Sequence, residues 1–156
     1  MRKFRILLLI LASAACTLGA QAAGPEIGTL MERARDLFDY GRWSDARHEF
    51  LRAKAALTPS DRLLAQEVEF YLAACAVELG SADAEGALRE FDERYPGSVY
   101  ANDVRFALGS FYCSAGNMKK AREAFEKTDY RALSAPRREQ YDIRMGYVEF
   151  GDGNYA

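Results

Sequence analysis

Four glycines recur along this chain at a nearly constant spacing, each between stretches of helical patterning. The steps between successive glycines are 39, 36 and 37 residues. A repeat of this length, with a glycine turn between helices, predicts a helical solenoid built from helix pairs. Folds of this kind usually present a binding surface and not a catalytic centre. The glycines are Gly41, Gly80, Gly116 and Gly153.

The residues after the glycines also repeat. An alanine follows Gly41 by five residues and a phenylalanine comes four beyond it, and the same order recurs after Gly116. The second copy is looser, because about two extra residues lie between Gly80 and Ala87. The phrase begins again after Gly153 but stops before its second helix, so we expect the biological chain to extend beyond residue 156. The predicted repeats are about 27–60, 61–97, 98–133 and an incomplete one at 134–156.

The composition is that of an ordinary globular domain, with 49% hydrophobic and 28% charged residues. The formal net charge is -2, so no basic field predicts a nucleic-acid partner. Three cations lie in the predicted leader, and the mature chain is more acidic without them. A mildly acidic module suits neutral or basic protein partners.

Residues 1–22 have the pattern of a secretory signal peptide. Basic residues precede a short apolar run, and Ala20-Gln21-Ala22 supplies the small residues that a signal peptidase reads. The run is too short for a comfortable membrane span. We therefore expect an exported protein with a domain at 23–156. Two alternatives stay open: the leader is retained as a membrane anchor, or Cys16 is lipidated, although Ser13 stands where a lipoprotein box usually has leucine.

Between the turns, apolar residues recur at helical spacings of three and four. They predict helices throughout, and no sustained alternation indicates a strand. Thr58-Pro59-Ser60-Asp61 and Tyr95-Pro96-Gly97-Ser98 break the helical pattern between repeats. The first helices of the second, third and fourth repeats are predicted at 61–79, 99–114 and 136–150.

Two cysteines, Cys75 and Cys113, lie outside the leader, each late in the first helix of its repeat. An exported chain can oxidise such a pair, but a disulfide requires a narrow range of Cβ geometry. We expect two small residues that are buried or line a groove. No Cys-x-x-Cys spacing predicts a zinc or redox site.

Taken together, these features resemble the tetratricopeptide repeat family over about residues 27–156. In that family a small residue of the first helix lies where two paired helices cross, and an alanine and a large ring of the second helix pack beside it. The resemblance implies an all-α, right-handed superhelical solenoid of antiparallel helix pairs. The small residues here are Ala34, Ala73, Gly109 and Gly146, the alanines are Ala46, Ala87 and Ala121, and the rings are Phe50, Phe91 and Phe125.

A finer resemblance concerns the segment around Tyr95-Pro96-Gly97-Ser98. This motif follows an aromatic residue and precedes an alanine-containing helix. The order is similar to that in repeats of bacterial periplasmic and outer-membrane tetratricopeptide proteins. The resemblance implies a cell-envelope protein, either periplasmic or associated with the outer membrane.

The family resemblance also implies where a ligand would lie, because the first helices line the concave face. By helical phase this face carries aromatic residues with acidic edges, which suits an amphipathic helix or extended peptide with a few basic residues. We expect Phe38, Phe70 and Phe106 to be the apolar anchors. The alternative is that the same residues only pack against neighbouring helices. The predicted groove residues are Met31, Arg35, Phe38, Phe70, Val77, Phe106, Cys113 and Tyr147.

We expect no catalytic, cofactor or metal site. The single histidine, His48, lies among charged residues of a second helix, which predicts an exposed side chain. The chain has neither a phosphate-binding loop nor a dinucleotide fingerprint. The expected function is a non-catalytic scaffold of the bacterial cell envelope that binds a protein or peptide. The alternatives are a lipid-anchored accessory of envelope or outer-membrane assembly, and an N-terminal targeting module of a larger enzyme or sensor.

Overall fold

The computed structural model of the protein describes residues 25–151. The predicted signal peptide, the lipidation alternative at Cys16 and the phrase after Gly153 lie outside the described residues. Within that range the chain is all-α, with seven helices, a short 3-10 turn at Tyr130–Ala132 and no strand, which confirms the predicted fold class at this level. The helices are α1 (Pro25–Asp39), α2 (Trp43–Ala56), α3 (Arg62–Glu78), α4 (Ala84–Arg94), α5 (Ala101–Ser114), α6 (Met118–Glu126) and α7 (Ala135–Gly151).

Three of the predicted turn glycines follow helices in the left-handed backbone conformation. The φ angle is 72° at Gly41, 61° at Gly80 and 74° at Gly116, a region that residues with a Cβ rarely adopt. At each turn the amide after the glycine donates to the carbonyl five residues earlier, as from Arg42 to Leu37 at 2.8 Å. The glycine amide donates to the carbonyl three residues before it. Each turn is therefore a Schellman motif, and the conformation explains why glycine recurs there.

Each helix packs against the next along the chain, and α5 also contacts α7. The buried apolar faces form two core clusters. The first core joins α1 and α2 to α3 around Phe50, and the second core extends from α3 to α7 around Phe91 and Phe125. All three rings are fully buried.

The crossing of α5 and α6 depends on a residue without a side chain. A Cβ at Gly109 would lie only 2.4 Å from Cδ1 of Phe125, so the ring occupies the space that any other residue would fill. Ala34 and Ala73, the predicted small residues of α1 and α3, are also buried. Gly146 of α7 differs, because no atom lies within 4 Å of its Cβ position. Within residues 25–151, no second helix crosses α7 at that point.

The second repeat departs from the predicted alignment. Ala87 is predicted at the close approach of α3 and α4, but it is only half-buried, whereas Ala84 is fully buried. Ala84, the first residue of α4, therefore occupies the more enclosed of the two positions.

Ion pairs connect first helices that lie one predicted repeat apart. Arg35 of α1 donates to Glu67 of α3 at 2.7 Å, and the two are 32 residues apart in the sequence. Arg137 of α7 pairs with Asp103 of α5, at a separation of 34 residues. Both pairs are only partly exposed. Ion pairs near the surface contribute about 0.2–1 kcal/mol each, so these two align the helices more than they stabilise them.

Gly109→Ala is expected to destabilise the protein, because the added methyl group overlaps the buried Phe125 ring. Overpacking typically costs about 1–3 kcal/mol, and the better helix propensity of alanine offsets about 1 kcal/mol of that. Gly146→Ala is the matched control: it makes the same change in a helix with open space, and should stabilise by about 0.5–1 kcal/mol. Urea denaturation followed by circular dichroism measures both. Equal effects of the two substitutions would contradict the crossing described above.

Candidate interaction surface

A depression of about 620 Å³ opens between the end of α5, the start of α6 and one side of α7. We call it the α7 groove. Side chains of α7 form one wall, and Cys113 with Met118 forms the other. The lining is mostly apolar, and Arg144 is the one charged residue in it. The groove is lined by Cys113, Ser114, Met118, Gln140, Ile143, Arg144, Tyr147, Phe150 and Gly151.

Helix α7 has two apolar sides, and only one of them is buried. Tyr141 and Val148 face the second core. On the other side Ile143, Tyr147 and Phe150 are 54%, 63% and 66% exposed. Their spacings of four and three residues place them in one stripe along the helix. A contiguous apolar stripe on the surface of a folded domain is typical of an interaction site.

Contacts from α5 and α6 fix the position of α7. The hydroxyl of Tyr141 donates to the carbonyl of Phe125 at 3.3 Å, and the two rings meet edge to face with centroids 5.1 Å apart. The thiol of Cys113 donates to the carbonyl of Arg144 at 3.9 Å. The α7 groove is therefore built on the same buried ring that organises the α5–α6 crossing.

Arg144 lies where the α7 groove meets a second depression of about 430 Å³ between α3, α5 and α7. Its Nη1 donates to the carbonyl of Ser110 at 3.4 Å and to the hydroxyl of Ser114 at 3.3 Å. Both acceptors are neutral and both bonds are long. Arg137, two turns earlier on the same helix, instead pairs with the carboxylate of Asp103. The Arg144 charge has no carboxylate partner among the described residues.

Half of the predicted groove residues lie together along these two depressions. Cys113 and Tyr147 line the α7 groove, and Val77 and Phe106 line the second depression. Phe106 is only 7% exposed, and the guanidinium of Arg137 lies 5.8 Å from its ring centroid. It therefore forms part of the floor and does not project as the apolar anchor that the sequence predicts.

Two further predicted groove residues have structural roles. Met31 is 1% exposed because it lies in the first core, so it cannot contact a partner, which corrects its assignment. Arg35 is predicted to line the groove, but its guanidinium is held by Glu67. The hydrogen bond to Glu67 raises the pKa of Arg35 further above its usual value. The contact joins α1 to α3 and leaves Arg35 little freedom to bind another carboxylate.

Phe38 and Phe70 belong to a cluster of rings between α1, α3 and the start of α5. Both meet Tyr71 edge to face, with centroids 5.3 and 5.2 Å apart, and Phe70 stacks on Tyr100 at 4.5 Å. Burial raises the pKa of Tyr71 and Tyr100, which favours their neutral forms. Phe106 contacts a different ring, so Phe70 and Phe106 are not neighbouring anchors of one groove.

Arg144 and Met118 line the α7 groove but are not among the predicted groove residues. Arg144 follows Ile143 and lies one turn after Gln140, so helical phase alone places it at the edge of the stripe. Met118 comes from a second helix, and its Cγ would lie 2.8 Å from a Cβ at Gly151. That contact depends on how α6 meets α7, for which the sequence carries no local signal.

The histidine and the two cysteines of the described range lie in different surroundings. His48 is exposed, as predicted, and Cys75 and Cys113 are free thiols that pack in different core clusters. Within residues 25–151, no group of three or more histidine, cysteine, aspartate and glutamate side chains is arranged to hold a metal ion. No helix in that range is long and apolar enough to cross a membrane.

Cys75 and Cys113 are expected to differ in reactivity. Cys75 is fully buried, and burial raises the pKa of its thiol to about 11, so little thiolate exists at neutral pH. Cys113 is half-buried at the wall of the α7 groove. Iodoacetamide should label Cys113 first in the native protein and Cys75 only after unfolding, with peptide mass mapping to separate both from Cys16. Equal native rates would show that the first core does not cover Cys75.

Comparisons of this chain with family models, with curated proteins and with solved structures found no match. The resemblance to tetratricopeptide repeats therefore depends on the residues of the chain itself.

Proposed function

We propose that the protein is a non-catalytic interaction scaffold whose helices form a right-handed superhelical solenoid of antiparallel pairs, similar to tetratricopeptide repeats. Three observations support this fold. The Schellman turns recur at the predicted glycines, buried rings pack beside small residues, and ion pairs join helices 32 and 34 residues apart. A stack of such helix pairs buries a continuous core and exposes an extended surface for binding.

The exposed stripe of α7 carries the functional part of the proposal. Ile143, Tyr147 and Phe150 are all more than half exposed beside a depression large enough for several side chains. Aromatic residues at the centre of a surface patch contribute most of the affinity in many protein interfaces. We therefore assign partner binding to the α7 groove, with Tyr147 at its centre.

The proposed partner is a protein or peptide of the bacterial cell envelope. The support is the signal-peptide pattern of residues 1–22 and the resemblance of the phrase at Tyr95 to envelope repeat proteins. The net charge of -2 argues against nucleic acid. A lipid anchor at Cys16 is an alternative form of attachment. The repeats as a targeting module of a larger enzyme or sensor are the alternative in another functional class.

A photo-crosslinking residue at Tyr147 tests the proposal. Placed there in living cells, p-benzoylphenylalanine is expected to trap a defined partner, because the side chain lies at the centre of the exposed stripe. The control carries the same residue at His48, which is exposed on α2 away from the groove. Mass spectrometry identifies the adducts.

An adduct at position 147 that is missing at position 48 supports binding through the α7 groove. Equal adducts at both positions indicate non-specific contact. Adducts at neither position contradict the assignment of partner binding to this surface.

A further inference from the structure

The geometry of the exposed stripe selects for one kind of ligand. Ile143, Tyr147 and Phe150 extend along two turns of α7 at spacings of four and three residues, and all are more than half exposed. The α5 and α6 residues Cys113 and Met118 raise a wall beside the stripe. A straight apolar stripe with one wall is the shape that an amphipathic helix fills, with its own apolar face at the same spacing.

The charge at the edge of the stripe indicates which charge the ligand should carry. Arg144 lines both the α7 groove and the second depression, and its acceptors in the described chain are the neutral oxygens of Ser110 and Ser114, at 3.4 and 3.3 Å. Arg137 lies on the same edge seven residues earlier, but Asp103 neutralises it. Glu78 and Asp103 lie in the second depression, but Arg144 is the only charged residue among those that line the α7 groove, so the charge inside that groove is positive.

We propose that the α7 groove binds an amphipathic helix that carries a carboxylate beside its apolar face, placed to pair with Arg144. This inference rests on the proposed function and specifies the secondary structure and the charge of the partner segment. A charge at the rim of an apolar contact selects partners of the opposite sign and discourages those of the same sign. A second copy of this chain fits less well, because an antiparallel pair of α7 helices would bring the arginine edges of both copies together.

Two designed peptides test the sign of the charge. Both are hydrocarbon-stapled helices with a fluorescein label and the same leucine stripe. The acidic probe has glutamate along the edges of the stripe, and the basic probe has lysine at the same positions. Fluorescence anisotropy at neutral pH and low salt measures their binding to the full chain. The acidic probe is expected to bind about tenfold more tightly, a preference that salt should reduce.

Charge reversal at Arg144 is the decisive variant. Arg144→Glu should weaken the acidic probe and strengthen the basic probe, so that the preference inverts. Arg144→Gln keeps a hydrogen-bond donor for the Ser110 carbonyl and should abolish the preference without inverting it. Arg138→Glu is the matched control, because it makes the same charge change at an exposed position on the opposite side of α7. Circular dichroism confirms that all three variants remain folded.

Inversion at Arg144 together with no change at Arg138 supports the proposal. Equal binding of both probes, with no effect of the Arg144 substitutions, overturns the proposal about charge. A partner trapped at Tyr147 in cells would still support the scaffold function independently. If neither probe binds, the proposal is wrong. Sedimentation equilibrium then shows whether a second copy of the chain covers the stripe.

Discussion

The contact between Phe125 and the backbone at Gly109 determines how α5 and α6 cross. With no side chain at position 109, the ring packs where a Cβ would lie 2.4 Å from Cδ1. The neighbouring helix then depends on the same ring, because Tyr141 packs its own ring against Phe125 and donates its hydroxyl to the Phe125 carbonyl. The position of α7, and with it the exposed stripe, is therefore a consequence of one close contact in the core. A shift of this crossing would also move the wall of the α7 groove.

A series of aromatic rings joins the two cores. Phe50 stacks on Tyr71 at 4.7 Å, Tyr71 meets Phe70 at 5.2 Å, and Phe70 meets Phe91 at 6.2 Å. Aromatic pairs contribute about 0.5–1.5 kcal/mol each beyond the area that they bury. Phe70 is therefore a bridge between the cores, which explains why a residue predicted as a partner anchor is half-buried. Its replacement by a charged residue would disturb folding before it could report on binding.

Local chemistry made much of the fold predictable. Helices α3, α5 and α7 begin and end within two residues of their predicted bounds, since helical periodicity and glycine turns act over a few residues. The site was less predictable. Helical phase identified the exposed side of α7 at Tyr147, but it could not show that α2 and α3 enclose Met31 or that Arg137 covers Phe106. Helical phase gives the direction of a side chain from its own axis, whereas burial depends on the neighbour that packs there.

The side chains that cover the rings of α3 and α5 come from later parts of the chain. The ring of Phe70 on α3 is covered by Tyr100, which precedes α5, and the ring of Phe106 on α5 is covered by Arg137 of α7. In both cases the covering side chain comes from a later part of the chain, about 30 residues further on. Within residues 25–151 no following repeat covers Tyr147, and its side chain remains 63% exposed. Changes to the earlier rings remove buried contacts and affect stability, whereas the proposed function predicts that changes along the exposed stripe of α7 affect binding. If the protein is the scaffold proposed above, side chains along this exposed stripe can vary without altering the packing that holds the helices together.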